Sequence, residues 1–260
     1  MKTALITGAS SGIGKALAHE YAQGGYQLVL VARSTEALQQ LKAEVEAKHK
    51  VTAHVLTQDL SLPEGPAQVF AATERLGLAI DALVNNAGYG DYGLFWQRPA
   101  AKTLGMVHLN VTALTALTHL YLPGMVARGR GHVLNVASVA AFVPGPMMSV
   151  YYATKHYVLA LSEGLARELK GTGVTVTALC PGAVATGFQT EADIHGVRFL
   201  KMGKIATPEW VAQVAYRQAH RGRVVVVPGL MNQFFAGMPR YTTRGFLRNF
   251  IFGISKRDAA

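Results

Sequence analysis

Short, continuously apolar runs alternate along this chain with longer stretches in which apolar residues recur every three or four positions. The short runs are Thr3–Thr7, Leu28–Ala32, Val51–Leu56, Ala82–Asn85, His132–Ala137, Val174–Cys180 and Arg223–Val227. Between them lie helical patterns such as Gly14–Gln23 and Glu36–Lys48, where Leu38, Leu41 and Val45 share a face. Leu28-Val29-Leu30-Val31 and Val224-Val225-Val226-Val227 lack polar alternation, so they read as strands covered on both faces. Seven such runs separated by helices predict an α/β fold, a doubly wound parallel sheet of about seven strands with right-handed crossovers and helices on both faces. No repeat or linker interrupts the pattern, so residues 1–260 are expected to form a single domain.

Composition narrows the class. The 260 residues are 50% hydrophobic and 15% charged, which excludes a disordered chain. The single cysteine, Cys180, excludes a disulfide scaffold, and between Leu179 and Pro181 it reads as a small buried hydrophobe. No apolar stretch approaches the ~18–20 residues that span a bilayer, and the N-terminal run is too short for a secretory signal, so a cytoplasmic protein is expected. The formal charge of +10 is concentrated: from Arg217 onward eight basic residues face Asp258 alone. That excess belongs to the C-terminal tail and not to a basic groove, so no nucleic-acid partner is expected.

The first strand runs into Thr7-Gly8-Ala9-Ser10-Ser11-Gly12-Ile13-Gly14 and then a helix. In this spacing Gly8 permits the tight turn, Gly12 lets the backbone approach a pyrophosphate, and Gly14 lets the helix pack close to the sheet. Lys15 does not make this a phosphoryl-transfer loop, because Ala9 and Ala16 stand where that loop needs glycine and a magnesium-binding hydroxyl. The second strand ends Val31-Ala32-Arg33-Ser34, with no carboxylate for a ribose 2′-hydroxyl before Glu36. Arg33 offers a fork for a 2′-phosphate and Ser34 a hydroxyl, which predicts NADP(H). The alternative is that Arg33 is a solvated loop residue and Ser34 only caps the next helix.

Further motifs follow in order: Asn85-Asn86-Ala87-Gly88, Asn110 in His108-Leu109-Asn110-Val111, Ser138 after Val136-Ala137, and Tyr151-Tyr152-Ala153-Thr154-Lys155. With the glycine turn they make residues 3–228 resemble a short-chain dehydrogenase/reductase, a Rossmann-type fold. The resemblance extends to Asp59-Leu60, beside the adenine, and to Pro181-Gly182-Ala183-Val184-Ala185-Thr186, at the nicotinamide end. It implies a catalytic set of Asn110, Ser138, Tyr151 and Lys155. The cofactor contacts it implies come from Gly8, Ser10, Ser11, Gly12, Ile13, Gly14, Arg33, Ser34, Asp59, Leu60, Asn86, Ala87, Gly88, Tyr151, Lys155, Pro181, Gly182, Val184 and Thr186. It also implies a homodimer or homotetramer through the helices flanking Asn110 and Tyr151.

The chemistry is also legible in the residues. Tyr151 and Lys155 are four apart and share a helical face, so the ammonium reaches both the phenol and a ribose. Lowering a phenol from ~10 to ~7 takes about 4 kcal/mol of preferential phenolate stabilisation, which Lys155 and an oxidised nicotinamide would supply. Tyr151 then protonates a carbonyl oxygen as hydride reaches its carbon, Ser138 holds that oxygen, and by resemblance Asn110 orients a water relay to Lys155. Tyr152 has His156 and not lysine four positions on, and His156 lacks partners at metal-ligand spacing, so no metal is expected.

A Ser–His hydrolase is disfavoured because Ser138 lies in Val-Ala-Ser-Val-Ala and not in a nucleophile elbow. A non-catalytic NADP(H) sensor of the same fold remains the alternative. Two segments are expected to line the substrate site. One is Ala140–Val150, with Phe142, Val143, Met147 and Met148. The other is a lid at Thr186–Lys204, with Phe188, Val197, Phe199, Leu200 and Met202. Their bulk points to a hydrophobic carbonyl or alcohol. Residues 229–260 form an extension in which Phe246, Leu247, Phe250, Ile251 and Ile254 line one face of a basic helix. Such a stripe fits either a membrane interface or, more commonly, a protein surface.

Overall fold

The structure is a computed structural model and describes residues 2–198 and 205–257. Seven parallel strands form one sheet: β1 Thr3–Thr7, β2 Gln27–Ala32, β3 Ala53–Thr57, β4 Ala82–Asn85, β5 Gly131–Val136, β6 Val174–Leu179 and β7 Val225–Val226. Their order is β3-β2-β1-β4-β5-β6-β7, so the winding reverses between β1 and β4. A crevice opens beyond the strand ends at such a reversal, and it is there that the motif residues gather. Every residue of β1 is buried, as a central strand with helices on both faces requires.

Helices α1 Gly12–Gln23, α2 Thr35–His49, α3 Gly65–Arg75, α4 Ala100–Val107, α5 Leu114–Ala127 and α6 Ser149–Glu168 precede the lid region. After them come a short α7 Phe188–Glu191, then α8 Pro208–His220, α9 Leu230–Gly237 and α10 Arg244–Ile254. One face of the sheet is covered through Leu17, Tyr21, Leu38 and Val211, the other through Val69, Leu117, Met125 and Leu169. Caps mark several helix starts: Ser34 accepts from Ala37 N, Thr207 from Trp210 N and Thr243 from Phe246 N. Between α4 and α5, residues His108–Ala113 form a π-helical turn that carries Asn110.

Two strand readings need correction. The third strand begins at Ala53 and not Val51, and the last is two residues instead of Arg223–Val227. At the edge of the sheet, the last strand sets Val225 beside Ala178 and Val226 beside Leu179, with the Val224 and Val226 carbonyls accepting from Ala178 N and Cys180 N at 2.7 Å. Val224, expected to be covered on both sides, lies at this open edge and is 37% exposed.

In the C-terminal extension, Leu247 and Ile251 are buried against Val143, with Phe142 and Tyr152 alongside. The apolar stripe of α10 is thus largely occupied by the protein itself, while Phe246 on its flank stays 55% exposed. Among the described residues no helix is long and apolar enough to cross a membrane.

Candidate active site

The glycine turn is shaped by backbone crowding. Gly8 and Gly12 have φ of +63° and +54°, which side chains rarely tolerate. A Cβ on Gly14 would collide with the Gly8 carbonyl oxygen, so α1 lies directly on the turn. Ser11 precedes α1 without a side-chain cap, leaving the N-terminal amides of a 12-residue helix facing the crevice. Thr7 ties this turn to the end of β4: its Oγ1 accepts from Asn86 N and Ala87 N, each at 3.0 Å. Asn86 Nδ2 donates in return to the Thr7 carbonyl at 2.9 Å and the Gly8 carbonyl at 3.2 Å.

At the end of β2, Arg33 and Ser34 are exposed beside the crevice, and Ser34 does cap α2. Asp59 accepts from Ser61 N at 2.9 Å and Ser61 Oγ at 2.7 Å. Burial alone would raise its carboxyl, but these bonds and the Arg33 guanidinium hold it below the ordinary range.

β5 and α6 bring the other group together. Lys155 is buried and its Nζ donates to the Val136 carbonyl at 2.7 Å while lying 5.7 Å from the Tyr151 ring centroid. Burial pulls the ammonium down to about 8. Burial also pushes the Tyr151 phenol well above its ordinary value, with the Ser138 hydroxyl opposing the shift. Ser138 Oγ accepts from Ala140 N at 3.1 Å, which fixes it at the strand end. Asn110 is buried and committed: Nδ2 donates to Tyr89 O at 2.9 Å and Thr154 Oγ1 at 3.1 Å, and Oδ1 accepts from Tyr89 N at 3.1 Å. Gly88 is wedged between it and Lys155, since a Cβ there would sit 2.8 Å from Asn110 Oδ1 and 3.6 Å from Lys155 Nζ.

One cleft of about 1050 Å³ runs past all these groups. Of the residues singled out in the sequence, Gly8, Ser10–Ile13, Arg33, Ser34, Asp59, Leu60 and Asn86–Gly88 line it. So do Ser138, Tyr151, Lys155, Pro181, Gly182, Val184 and Thr186. Gly14 and Asn110 stand one layer behind. Sequence reasoning missed Tyr89 and Lys102 in the lining, of which Tyr89 carried a signal as the residue directly after the Asn-Ala-Gly motif; Ile194 lines it from within the expected Thr186–Lys204 lid, though it was not among the residues named there.

The substrate-side list divides. Met148 and Phe188 line the cleft, and the Phe188 ring lies 5.3 Å from that of Tyr151. Phe142, Val143, Met147 and Val197 do not line it. Val143 and Phe142 pack against α10, and Met147, at φ 70°, turns its carbonyl to Gly93 N at 2.7 Å. Phe199, Leu200 and Met202 lie outside the described residues. Tyr152, set aside for want of a lysine, does line the cleft, packed on Gly145. His156 Nδ1 faces the Tyr152 carbonyl at 2.8 Å, Cys180 is fully buried, and no metal-holding cluster occurs among the described residues.

Comparison with known proteins gives a consistent result. The family model for short chain dehydrogenase matches residues 2–195. A very-long-chain 3-oxoacyl-CoA reductase of Danio rerio is 35% identical over 191 residues, covering 71% of this chain and 60% of the relative. The chain thus aligns with about 60% of the length of that curated relative. A short-chain dehydrogenase from Sphingobium yanoikuyae, solved in complex with NADPH, superposes with a TM-score of 0.83 at 33% identity. That match covers 100% of this chain and 98% of the other. The bulky-bulky ketone specific alcohol dehydrogenase of Comamonas testosteroni gives a TM-score of 0.78 at 32% identity over 94% and 96% of the two chains. With the glycine turn, the Asn-Asn-Ala-Gly motif and the Ser138, Tyr151 and Lys155 group disposed around one cleft, this chain belongs to the short chain dehydrogenase family.

Proposed function

We propose that the protein interconverts a carbonyl and an alcohol on a hydrophobic substrate, with NADP(H) as the hydride partner. The observation that carries this reading is the meeting of Ser138, Tyr151 and Lys155 in the same cleft as a glycine turn that excludes side chains. That turn, the amides of α1 and Arg33 suit a phosphorylated dinucleotide, and a solved relative carries NADPH. When bound, the nicotinamide supplies hydride in reduction and takes it up in oxidation. Tyr151, kept protonated by burial, donates its proton to the carbonyl oxygen, and Ser138 holds that oxygen as charge develops. Lys155 provides the positive field that eases departure of the phenolic proton. Because the Asn110 amide is already committed to Tyr89 and Thr154, its part here is to clamp the Gly88 turn against α6.

Phe188, Met148, Tyr152 and Ile194 form an apolar wall, and relatives named for bulky ketones and very-long-chain 3-oxoacyl-CoA support a large, greasy substrate. The test is NADPH oxidation across a panel of aldehydes and ketones. Tyr151→Phe should lower turnover roughly 100- to 10,000-fold while NADPH binding stays nearly intact. A variant keeping more than half the activity would overturn the assignment, and binding without turnover across the panel would favour a sensor.

The same reading includes a homo-oligomer, supported by exposed Leu104, Val126 and Tyr157 on α4, α5 and α6. It also includes a cytoplasmic location with peripheral contact to anionic membranes. The contact is moved from the stripe that protein covers to the outer surface of the extension. There Leu230, Met231, Phe234, Tyr241, Phe246 and Phe252 are exposed among Arg240, Arg244 and Arg248. No acidic residue occurs from Trp210 to Arg257. Co-sedimentation with anionic vesicles, released as salt rises, is the expected outcome; no binding at low ionic strength eliminates the contact.

A further inference from the structure

After α7 the chain doubles back through Asp193, at φ 52°, to Val197. Its inner side belongs to the pocket: Ile194 lines the cleft, and Ala192, Ile194 and Val197 share one apolar cluster with Tyr92, Met148 and Tyr151. Its outer side is held by the last described residues of the chain. Val197 pairs antiparallel with Arg257, and Arg198 N donates to the Lys256 carbonyl at 3.2 Å. Arg257 donates to the Asp193 carbonyl at 2.6 Å, pairs with its carboxylate at 2.8 Å, and lies 5.0 Å from the Tyr92 ring centroid. Tyr92, itself buried, donates its hydroxyl to the buried Ser255 carbonyl at 2.8 Å.

An exposed ion pair alone holds little. Here one planar guanidinium serves a carboxylate, a carbonyl and a ring face together, a geometry lysine does not reproduce. The same extension is seated by Leu247 and Ile251 on Val143, in the segment that follows Ser138. It therefore grips both segments that flank Tyr151.

We propose that Arg257 and Tyr92 are positioning residues that clamp the Phe188–Val197 segment, so that the C-terminal extension sets how closely the pocket fits a bulky substrate. This rests on the reading of Phe188 and Ile194 as substrate-side wall. The two residues act through the segment they hold and touch no reacting atom.

The test uses full-length Arg257→Ala, Tyr92→Phe and Arg257→Lys. Hydrogen exchange should show the amides of residues 192–198 opening about tenfold faster in Arg257→Ala, with the sheet unchanged. KM for a bulky apolar ketone should rise about five- to twentyfold, with kcat within threefold and NADPH affinity within twofold. KM for a three-carbon aldehyde, which offers little apolar surface for the segment to grip, should move less than twofold. Tyr92→Phe should show a smaller rise of the same kind, and Arg257→Lys should recover only part of the loss. Unchanged exchange overturns the clamp. An unchanged bulky-ketone KM, or an equal rise for both substrates, overturns its role in fit. If the unaltered protein turns over no carbonyl, the proposed reaction fails, and the exchange measurement still decides the clamp.

Discussion

At the dinucleotide end of the cleft the walls are backbone and the first residues after each strand, whereas at the substrate end they are side chains from distant parts of the chain. Gly8, Gly12 and Gly14 lie within seven residues, and their contacts are with main chain, Asn86 and Thr186. Tyr92 and Ser255, which help hold the other end, are 163 residues apart. The first end tolerates no added atom and is therefore written as spacing. The second is set by which surfaces meet after folding, so its sequence can change while its shape is kept.

The contrast is sharpest for one substitution made at both ends. Gly14→Ala drives a methyl into the Gly8 carbonyl, and neither backbone can yield; loss of soluble folded protein, or a stability loss above about 4 kcal/mol, is expected in denaturant titrations. Arg33→Ala should cost on the order of ten- to a hundredfold in NADPH affinity with little change for NADH, read by fluorescence titration. Equal affinities in the unaltered protein would remove Arg33 from the comparison.

Lys155, between the two ends, makes a pH prediction. Its folded value near 8 lies below the ordinary 10.5 of an unfolded chain, so between these values the unfolded state binds more protons. Lys155 should thus add about 2 kcal/mol to the stability of the cofactor-free protein from pH 7 to 9.5, while the Cys180 thiol and the Tyr151 phenol, both pushed up by burial, act in the opposite direction over that range. Lys155→Met should lack the lysine's share; urea titrations of both proteins at the two pH values check it. The smallest effect is expected at Gly187, which lines the cleft with φ −66° and open space where a Cβ would go. Gly187→Ala should leave the melting temperature unchanged or slightly higher, worth at most about 1 kcal/mol.

This asymmetry explains how much was legible before the fold. β1 and β4 begin and end where their apolar runs do, because buried parallel strands must be apolar throughout. β7 is shorter than its apolar run because it is an edge strand: the Val224 carbonyl still accepts from Ala178 N at 2.7 Å, but its side chain is exposed despite its hydrophobicity. Tyr151 and Lys155 announce themselves by a four-residue spacing on one helix. Phe142 and Val143 were assigned to the pocket for their bulk, but bulk does not say which apolar neighbour it meets, and α10 takes them. The Arg257 clamp had no signal at all, since an arginine near a chain end looks the same whether solvated or tied to Asp193.

The π-helical turn at His108–Ala113 has a consequence for register. A π turn holds one residue more than an α turn, so α5 leaves it rotated by about 100° from the face on which α4 arrived. A single apolar stripe drawn at 3.6-residue intervals from Ala100 to Ala127 would fall out of phase halfway along. Deleting one residue inside the turn would restore an unbroken helix and at the same time swing either Asn110 away from Gly88 or Leu117 and Met125 out of the core. The helix is therefore geared: its first half is phased to the cleft, its second to the sheet, and the extra residue lets both engage at once.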